Sequence, residues 1–333
     1  MNGAVMDIKL KSSLTNKKTL LILSLLSILL GLISVAIGDI LLPLMVAVLA
    51  MIFLVDDERR IYFIVTSSVL AILNIAAIVL KIGLTLFAFE GIALAALLAI
   101  CFMKKSDKAE TSLVMTTVCI GFTIVNLVML PMIELNTFDF GMVADYYLEM
   151  VDSLREAFVQ TAMEAYGQIL ASGGIEISES IVTELYNHQL TMAISYIVII
   201  CFAVVGIAMK LFAKLYTRLC EDNSPVIYWR FRTTSVFAYF YIALMFLSIF
   251  TSTSGGVLGI TIGNLYNIFL IVYAYIGFNQ AVAMLSVKVR PAVAILIIVV
   301  VTVVAMSFAL QLLAVLGVLY TIRKNREAIP KAE

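Results

Sequence analysis

Residues 19–55 read TLLILSLLSILLGLISVAI, then Gly38-Asp39, then ILLPLMVAVLAMIFLV. The first run carries no charge. It is long enough for a spanning helix, because a bilayer core about 30 Å thick needs about 20 residues at 1.5 Å each. The second run begins after a break of only Gly38 and Asp39, so the pair reads as an antiparallel helical hairpin. Lys17 and Lys18 ahead of the first run, with Ser34-Val35-Ala36 near its end, imitate a secretory signal and its cleavage site. The length of the run and the apolar segment directly behind it favour a retained first span. Backbone polar groups find no partner in lipid, so both segments should be helical; nothing suggests a barrel.

The same reading extends along the chain. Nine segments qualify or nearly do: Thr19–Ile37, Ile40–Val55, Ile61–Leu80, Gly83–Met103, Ser112–Ile133, Thr191–Lys210, Thr233–Phe250, Val257–Val287 and Pro291–Tyr320. Of the 333 residues 63% are apolar and 13% charged, with a mean hydropathy of +1.09. Soluble domains carry roughly 45–50% apolar and about 25% charged residues, so the composition excludes a soluble protein. It predicts an all-α polytopic transmembrane bundle of about nine spans, within a range of eight to ten. The last two segments are long enough for one of them to be broken or re-entrant. Three blocks follow: an N-terminal membrane block over 1–133 with about five spans, a polar insert over 134–190, and a C-terminal membrane block over 191–333 with about four spans.

Charge sets the expected orientation. With the N-terminus in the cytoplasm, sixteen of the 22 Lys and Arg residues fall on the cytoplasmic side, as the positive-inside rule prefers. The side of the basic C-terminal tail stays open. The insert carries ten acidic residues against the single base Arg155, and is placed outside the cell membrane. Equal numbers of acids and bases leave no basic field for nucleic acid. Cys101, Cys119, Cys201 and Cys220 lie in or beside apolar runs without a C-x-x-C pair, and read as small buried residues.

The insert has its own pattern. Val143, Tyr147, Met150, Leu154, Phe158, Ala165 and Ile169 recur at helical spacing. Asp145, Glu149, Asp152 and Glu156 lie on the opposite face, within an arc of about 60° at 100° per residue. The simplest reading is a solvated face; the functional alternative is a funnel for cations, with these four as weak metal-ligand candidates. Ala171-Ser172-Gly173-Gly174 ends this helix, and a second short helix is expected around Ser178–Leu190. His188, the sole histidine, reads as an interfacial residue.

Inside the spans, Glu90 is the one clear acid. A carboxylate there costs about 2.5–3.5 kcal/mol on insertion scales, so it must face protein or a watery cavity. Gly91, Ala95 and Ala99 behind it form a small-xxx-small ridge for close helix approach. In the eighth segment Gly255, Gly259 and Gly263 are spaced by four, and Asn267, Ile271, Tyr275 and Asn279 continue the line, with Asn264 beside it. That face suits either amide-bonded helix packing or the lining of a solute pocket. Asn74, Asn126, Ser307 and Gln311 are further isolated polar residues. No hydrolase, metalloprotease, P-loop or dinucleotide motif occurs, so neither an enzyme nor a bound cofactor is expected.

Three elements of the C-terminal half appear in a telling order. Ser224-Pro225 and Trp229-Arg230 lead straight into a span. The long eighth segment carries Asn267 and then Asn279-Gln280-Ala281-Val282-Ala283. A terminal Leu313-Ala314-Val315-Leu316-Gly317 precedes a basic tail. In this order they resemble the YybS-like family of bacterial polytopic membrane proteins, and the acidic insert between two membrane blocks fits its plan. The resemblance covers most of the chain. It implies little biochemistry beyond a general similarity to the substrate-capturing membrane subunits of energy-coupling-factor vitamin transporters. Two functional expectations result. One is the solute-binding membrane subunit of a transporter, with an outward-opening pocket between Glu90, the Asn264/Asn267/Tyr275/Asn279 face and the insert, energised by a partner ATPase subunit or an ion gradient. The other is a non-transporting scaffold or regulator that binds membrane or envelope proteins.

Overall fold

A computed structural model describes residues 16–37, 39–55, 60–82, 86–171, 178–220, 233–251 and 256–327. Among these there is no strand. Eleven α-helices run in order: α1 Lys17–Ile37, α2 Leu42–Phe53 (entered through a 3-10 turn at Asp39–Leu41), α3 Ile61–Val79, α4 Phe87–Met103, α5 Lys108–Leu135, α6 Phe140–Ala171, α7 Glu179–Thr191, α8 Ala193–Cys220, α9 Ser235–Thr251, α10 Val257–Leu285 and α11 Pro291–Glu327. Each of the nine apolar segments has its helix, and the insert supplies the amphipathic α6 and α7. Both long C-terminal segments are continuous helices, so neither is broken.

Five of these helices are long and apolar enough to cross a membrane; α2, α4, α9 and the stretch Pro291–Ala305 of α11 are apolar but shorter. In α5 only 17% of the most apolar stretch is buried within the chain. Water would penalise such a surface heavily, whereas lipid does not, and the chain is membrane-embedded.

The chain divides into two compact units, residues 1–187 with 200–230, and 188–199 with 231–333. The insert through residue 187 belongs with the first unit, and the division cuts α8 between Ile199 and Ile200.

In unit 1, α2 is the central element. Met45 through Ile52 are buried on every side of this helix, as expected of a helix that is apolar all round. Its 12 residues span only about 18 Å. Enclosed by α1, α3 and α4, it need not match the bilayer thickness. The ridge Gly91, Ala95 and Ala99 of α4 faces inward: Ala95 and Ala99 are fully buried, and a Cβ on Gly91 would collide with the Met45 methyl group. On α1 the buried stripe mixes Leu20, Leu23 and Leu30 with the small residues Ser24, Ser27, Gly31 and Ser34. A Cβ on Gly31 would strike Leu70 of α3.

Three helix ends of unit 1 share one device. Lys81, Lys105 and Asn136 adopt φ of 54°, 56° and 50° and terminate α3, α4 and α5. After α4, Ser106 N–H donates to the Cys101 carbonyl and Lys105 N–H to that of Phe102, both at 3.0 Å. This is the six-to-one and five-to-two pair of a Schellman ending. Asp107 then caps α5 by accepting from Glu110 N–H at 2.8 Å.

In unit 2, α10 and α11 pack with backbones in contact. A Cβ on Gly277 would overlap the Leu313 carbonyl, and one on Gly317 would overlap that of Tyr273. Around this crossing Ala238, Tyr241, Tyr273, Ala274, Ile276, Ala314 and Val318 form the core. Tyr241 of α9 stacks on Tyr266 of α10 with ring centres 5.8 Å apart.

Candidate functional site: a carboxyl-lined cleft in unit 1

The site begins at the N-terminus of α4. The first amides of a helix have no intrahelical acceptor, and in a membrane no water replaces one. Two asparagines from neighbouring helices supply acceptors. Asn126 Oδ1 of α5 takes Leu86 N–H at 2.8 Å, and Asn74 Oδ1 of α3 takes Ala88 N–H at 3.3 Å. These side chains, which carried no readable geometry in the sequence, are caps supplied from other helices.

Glu90 lies in the first turn of α4. Only 4% exposed, it sits at the positive end of the helix dipole. The Cys119 thiol of α5 donates to Glu90 Oε1 at 3.1 Å. Cys119 also contacts Cys201 of α8, and the Cys201 sulfur is 3.5 Å from Thr123 Oγ1. All four cysteines are free and buried. Two of them are therefore hydrogen-bonding groups beside the carboxyl rather than plain packing residues.

These groups line a cleft of about 260 Å³. Leu42, Leu127, Leu130, Ile200 and Val204 make its apolar walls, while Glu90, Cys119, Thr123, Asn126, Cys201 and Tyr147 are its polar members. Among the lining residues, Tyr147 is the insert's contribution. It meets a carbonyl affected by Pro131 inside α5. Proline has no N–H, so the carbonyl four residues earlier, that of Leu127, loses its helical donor. The Tyr147 hydroxyl of α6 donates to that carbonyl. The neighbouring Tyr146 hydroxyl donates to Glu134 Oε2 at 2.7 Å, and that bond pushes the Tyr146 phenol above the ordinary tyrosine value. Burial, and then the Glu134 charge, push Tyr147 the same way. Both phenols are thus neutral donors at physiological pH.

The remaining sequence candidates lie elsewhere. Asp145, Glu149, Asp152 and Glu156 are all exposed on α6, and Asp152 pairs with Arg155 at 3.1 Å. Among the described residues no group of three His, Cys, Asp or Glu is placed to hold a metal ion. Gly255 lies outside the described residues. Gly259 and Gly263 are half-buried on α10, and a Cβ on Gly263 would come within 2.8 Å of the Met192 methyl.

Asn264 is buried in unit 2, and its amide is fully engaged. Its Oδ1 accepts Ser195 N–H at 2.9 Å, and its Nδ2 donates to the carbonyls of Thr191 and Ile260 at 2.8 and 2.9 Å. It caps the start of α8, as Asn74 and Asn126 cap α4. Asn267 and Tyr275 are half-buried; Asn279 is exposed and donates to the Tyr275 carbonyl of its own helix at 2.7 Å. A groove of about 540 Å³ in unit 2 is walled by Tyr241, Ser248, Tyr266, Phe308 and Gln311 among others, and by none of these four.

Sequence reasoning singled out Glu90 but not its surroundings. Pro131 was the available signal, since a proline within an apolar helix announces an orphaned carbonyl and hence a polar visitor. Fold and cleft together define a polytopic α-helical membrane protein. No family model, characterised protein or solved structure matches the chain.

Proposed function

We propose that the protein is the solute-binding membrane subunit of a transporter, and that the unit 1 cleft takes a small cation-bearing solute with Glu90 as its counter-charge. The observation that carries the reading is a nearly buried carboxyl on the wall of a 260 Å³ cleft whose exposed lining is mostly apolar surface. An ionisable group kept at this cost inside a membrane is by default functional, and few fixed polar groups in an apolar cavity suit recognition of a small organic ligand. An ammonium group on a short apolar body matches both features. The chain has no nucleotide-binding motif, so uphill transport would draw on a partner ATPase subunit or an ion gradient. The YybS-like assignment, the cytoplasmic N-terminus and the extracytoplasmic insert belong to the same proposal.

The test is thermal unfolding in detergent with butylamine, butanol and butyrate as matched probes. A ligand at ten times its Kd stabilises by about 1.4 kcal/mol. Butylamine should raise the transition and the other two should not, and Glu90→Gln should abolish the effect. No amine-specific shift, or an equal shift in Glu90→Gln, rejects the reading.

A second reading, a scaffold for other membrane or envelope proteins, draws on the exposed Phe138, Phe140 and Leu148 in the insert. Stoichiometric co-purification of a partner, lost when residues 140–188 are deleted, would favour it.

A further inference from the structure

We propose that Tyr147 is the access-controlling residue of the Glu90 cleft, held closed by the hydrogen bond that Pro131 makes available. The inference rests on the cleft reading above but concerns entry rather than ligand identity.

Cleft residues Cys119, Thr123, Asn126, Leu127 and Leu130 follow one another along α5. They cover about 16 Å at 1.5 Å per residue. Cys119, against Glu90, marks one end, and the Leu127 carbonyl lies towards the other. Tyr147 reaches from α6 to that carbonyl. Its hydroxyl therefore meets the cleft wall between Cys119, which bonds the carboxyl, and the Leu135 end of α5, where the insert begins.

Of the α6 contacts, the Tyr147 bond is the one at the cleft. The Leu127 carbonyl lacks a helical donor because residue 131 is proline, and an unpaired carbonyl away from water is costly. The phenol that satisfies it is neutral at physiological pH, as any tyrosine is, and its burial favours that form. Elsewhere α6 is tied by Tyr146 to Glu134, its Val151 carbonyl accepts from the Tyr186 hydroxyl and Phe158 meets the Tyr186 ring, while Leu148, Met150 and Leu154 are exposed. When the Tyr147 bond breaks, the side chain set free is one that lines the cleft. Proline at 131 thus creates the acceptor, and tyrosine at 147 turns that acceptor into a latch.

The native cysteines report the latch without any ligand. Cys119 and Cys201 line the cleft, whereas Cys101 is buried outside it. The purified full chain in detergent is exposed to a water-soluble methanethiosulfonate, and each site is followed by peptide mass spectrometry. Tyr147→Phe should accelerate labelling of Cys119 and Cys201 about fivefold, the population shift expected from losing one net hydrogen bond. Cys101 should not change. Pro131→Ala restores a helical donor to Leu127 and should accelerate the same two sites without altering Tyr147, so the test survives if Tyr147→Phe does not fold. In the double variant the two effects should not multiply, since each removes the same contact. Tyr146→Phe, which breaks the Glu134 bond outside the cleft, should label like the unaltered protein.

Unchanged labelling in both Tyr147→Phe and Pro131→Ala overturns the latch. So does equal acceleration at Cys101, which means general loosening, and so do effects that multiply in the double variant. Accelerated cleft labelling together with no amine-induced stabilisation leaves the latch standing and removes the solute reading alone.

Discussion

Asn264, Asn126 and Asn74 show what a single polar residue does in a chain this apolar. Each primary amide is placed where a helix starts beside it and leaves backbone groups unpaired: Asn264 at α8, the other two at α4. In water such ends are satisfied locally by a cap residue or by solvent. Inside a membrane they are satisfied by a side chain from another helix, so the amide fixes position as well as energy. Asn264→Leu removes three hydrogen bonds and orphans Ser195 N–H and the Thr191 carbonyl. It should destabilise the protein by about 2–3 kcal/mol, taking about 0.6 kcal/mol per intramembrane bond plus the orphaned groups. Asn279→Leu removes a bond within one exposed helical turn and should cost under about 0.5 kcal/mol. Unfolding in graded sodium dodecyl sulfate compares them directly. Equal midpoints would show that Asn264 is not a cap of consequence. Glu90 differs from the asparagines because its carboxyl faces a cleft, and that is why the binding experiment centres on it.

At the scale of the helix, the packing code is written in small residues, but not everywhere the spacing suggested. Gly91, Ala95 and Ala99 stood out as a ridge; all three are buried, and Gly91 abuts Met45 and Leu42 at the α2 interface. A backbone-to-backbone contact, however, is made by Gly277 and Gly317, separated by forty residues with no local pattern to join them. One-dimensional spacing finds a face, not the face it meets. The same limit hid the α1 stripe of Ser24, Ser27, Gly31 and Ser34, where serines among leucines looked incidental. The existence of the helices was legible because apolar length alone decides it. The course of α2 was less so: its sequence reads as a span, yet it is a short buried helix enclosed by three others. The cleft was legible only through Glu90, since Cys119, Cys201 and Tyr147 come from three different helices. Gly277→Ala or Gly317→Ala drives a methyl group into a facing backbone that cannot yield, and each should cost more than about 2 kcal/mol or prevent folding. Gly121→Ala, with nothing within 4 Å of the new Cβ, should be neutral or slightly stabilising, because alanine is the better helix former. Both effects are read from the same detergent unfolding curves, and a mild Gly277→Ala would contradict the backbone contact.

For the whole molecule, the central claim is that lipid solvates the outward surface of both units while the insert is wet. Exposed aliphatic side chains cover the flanks of α1, α3 and α11, where a soluble protein would place charge. The charges instead collect on α6 and at helix ends. Nitroxide labels in liposomes measure this most directly. At Ile72 on α3, 65% exposed, and Val304 on α11, 82% exposed, collisions with oxygen should exceed collisions with a polar nickel chelate. At Glu149 on α6 the order should reverse. If the nickel chelate reaches Ile72 and Val304 as readily as Glu149, these helices are not in lipid and the account fails.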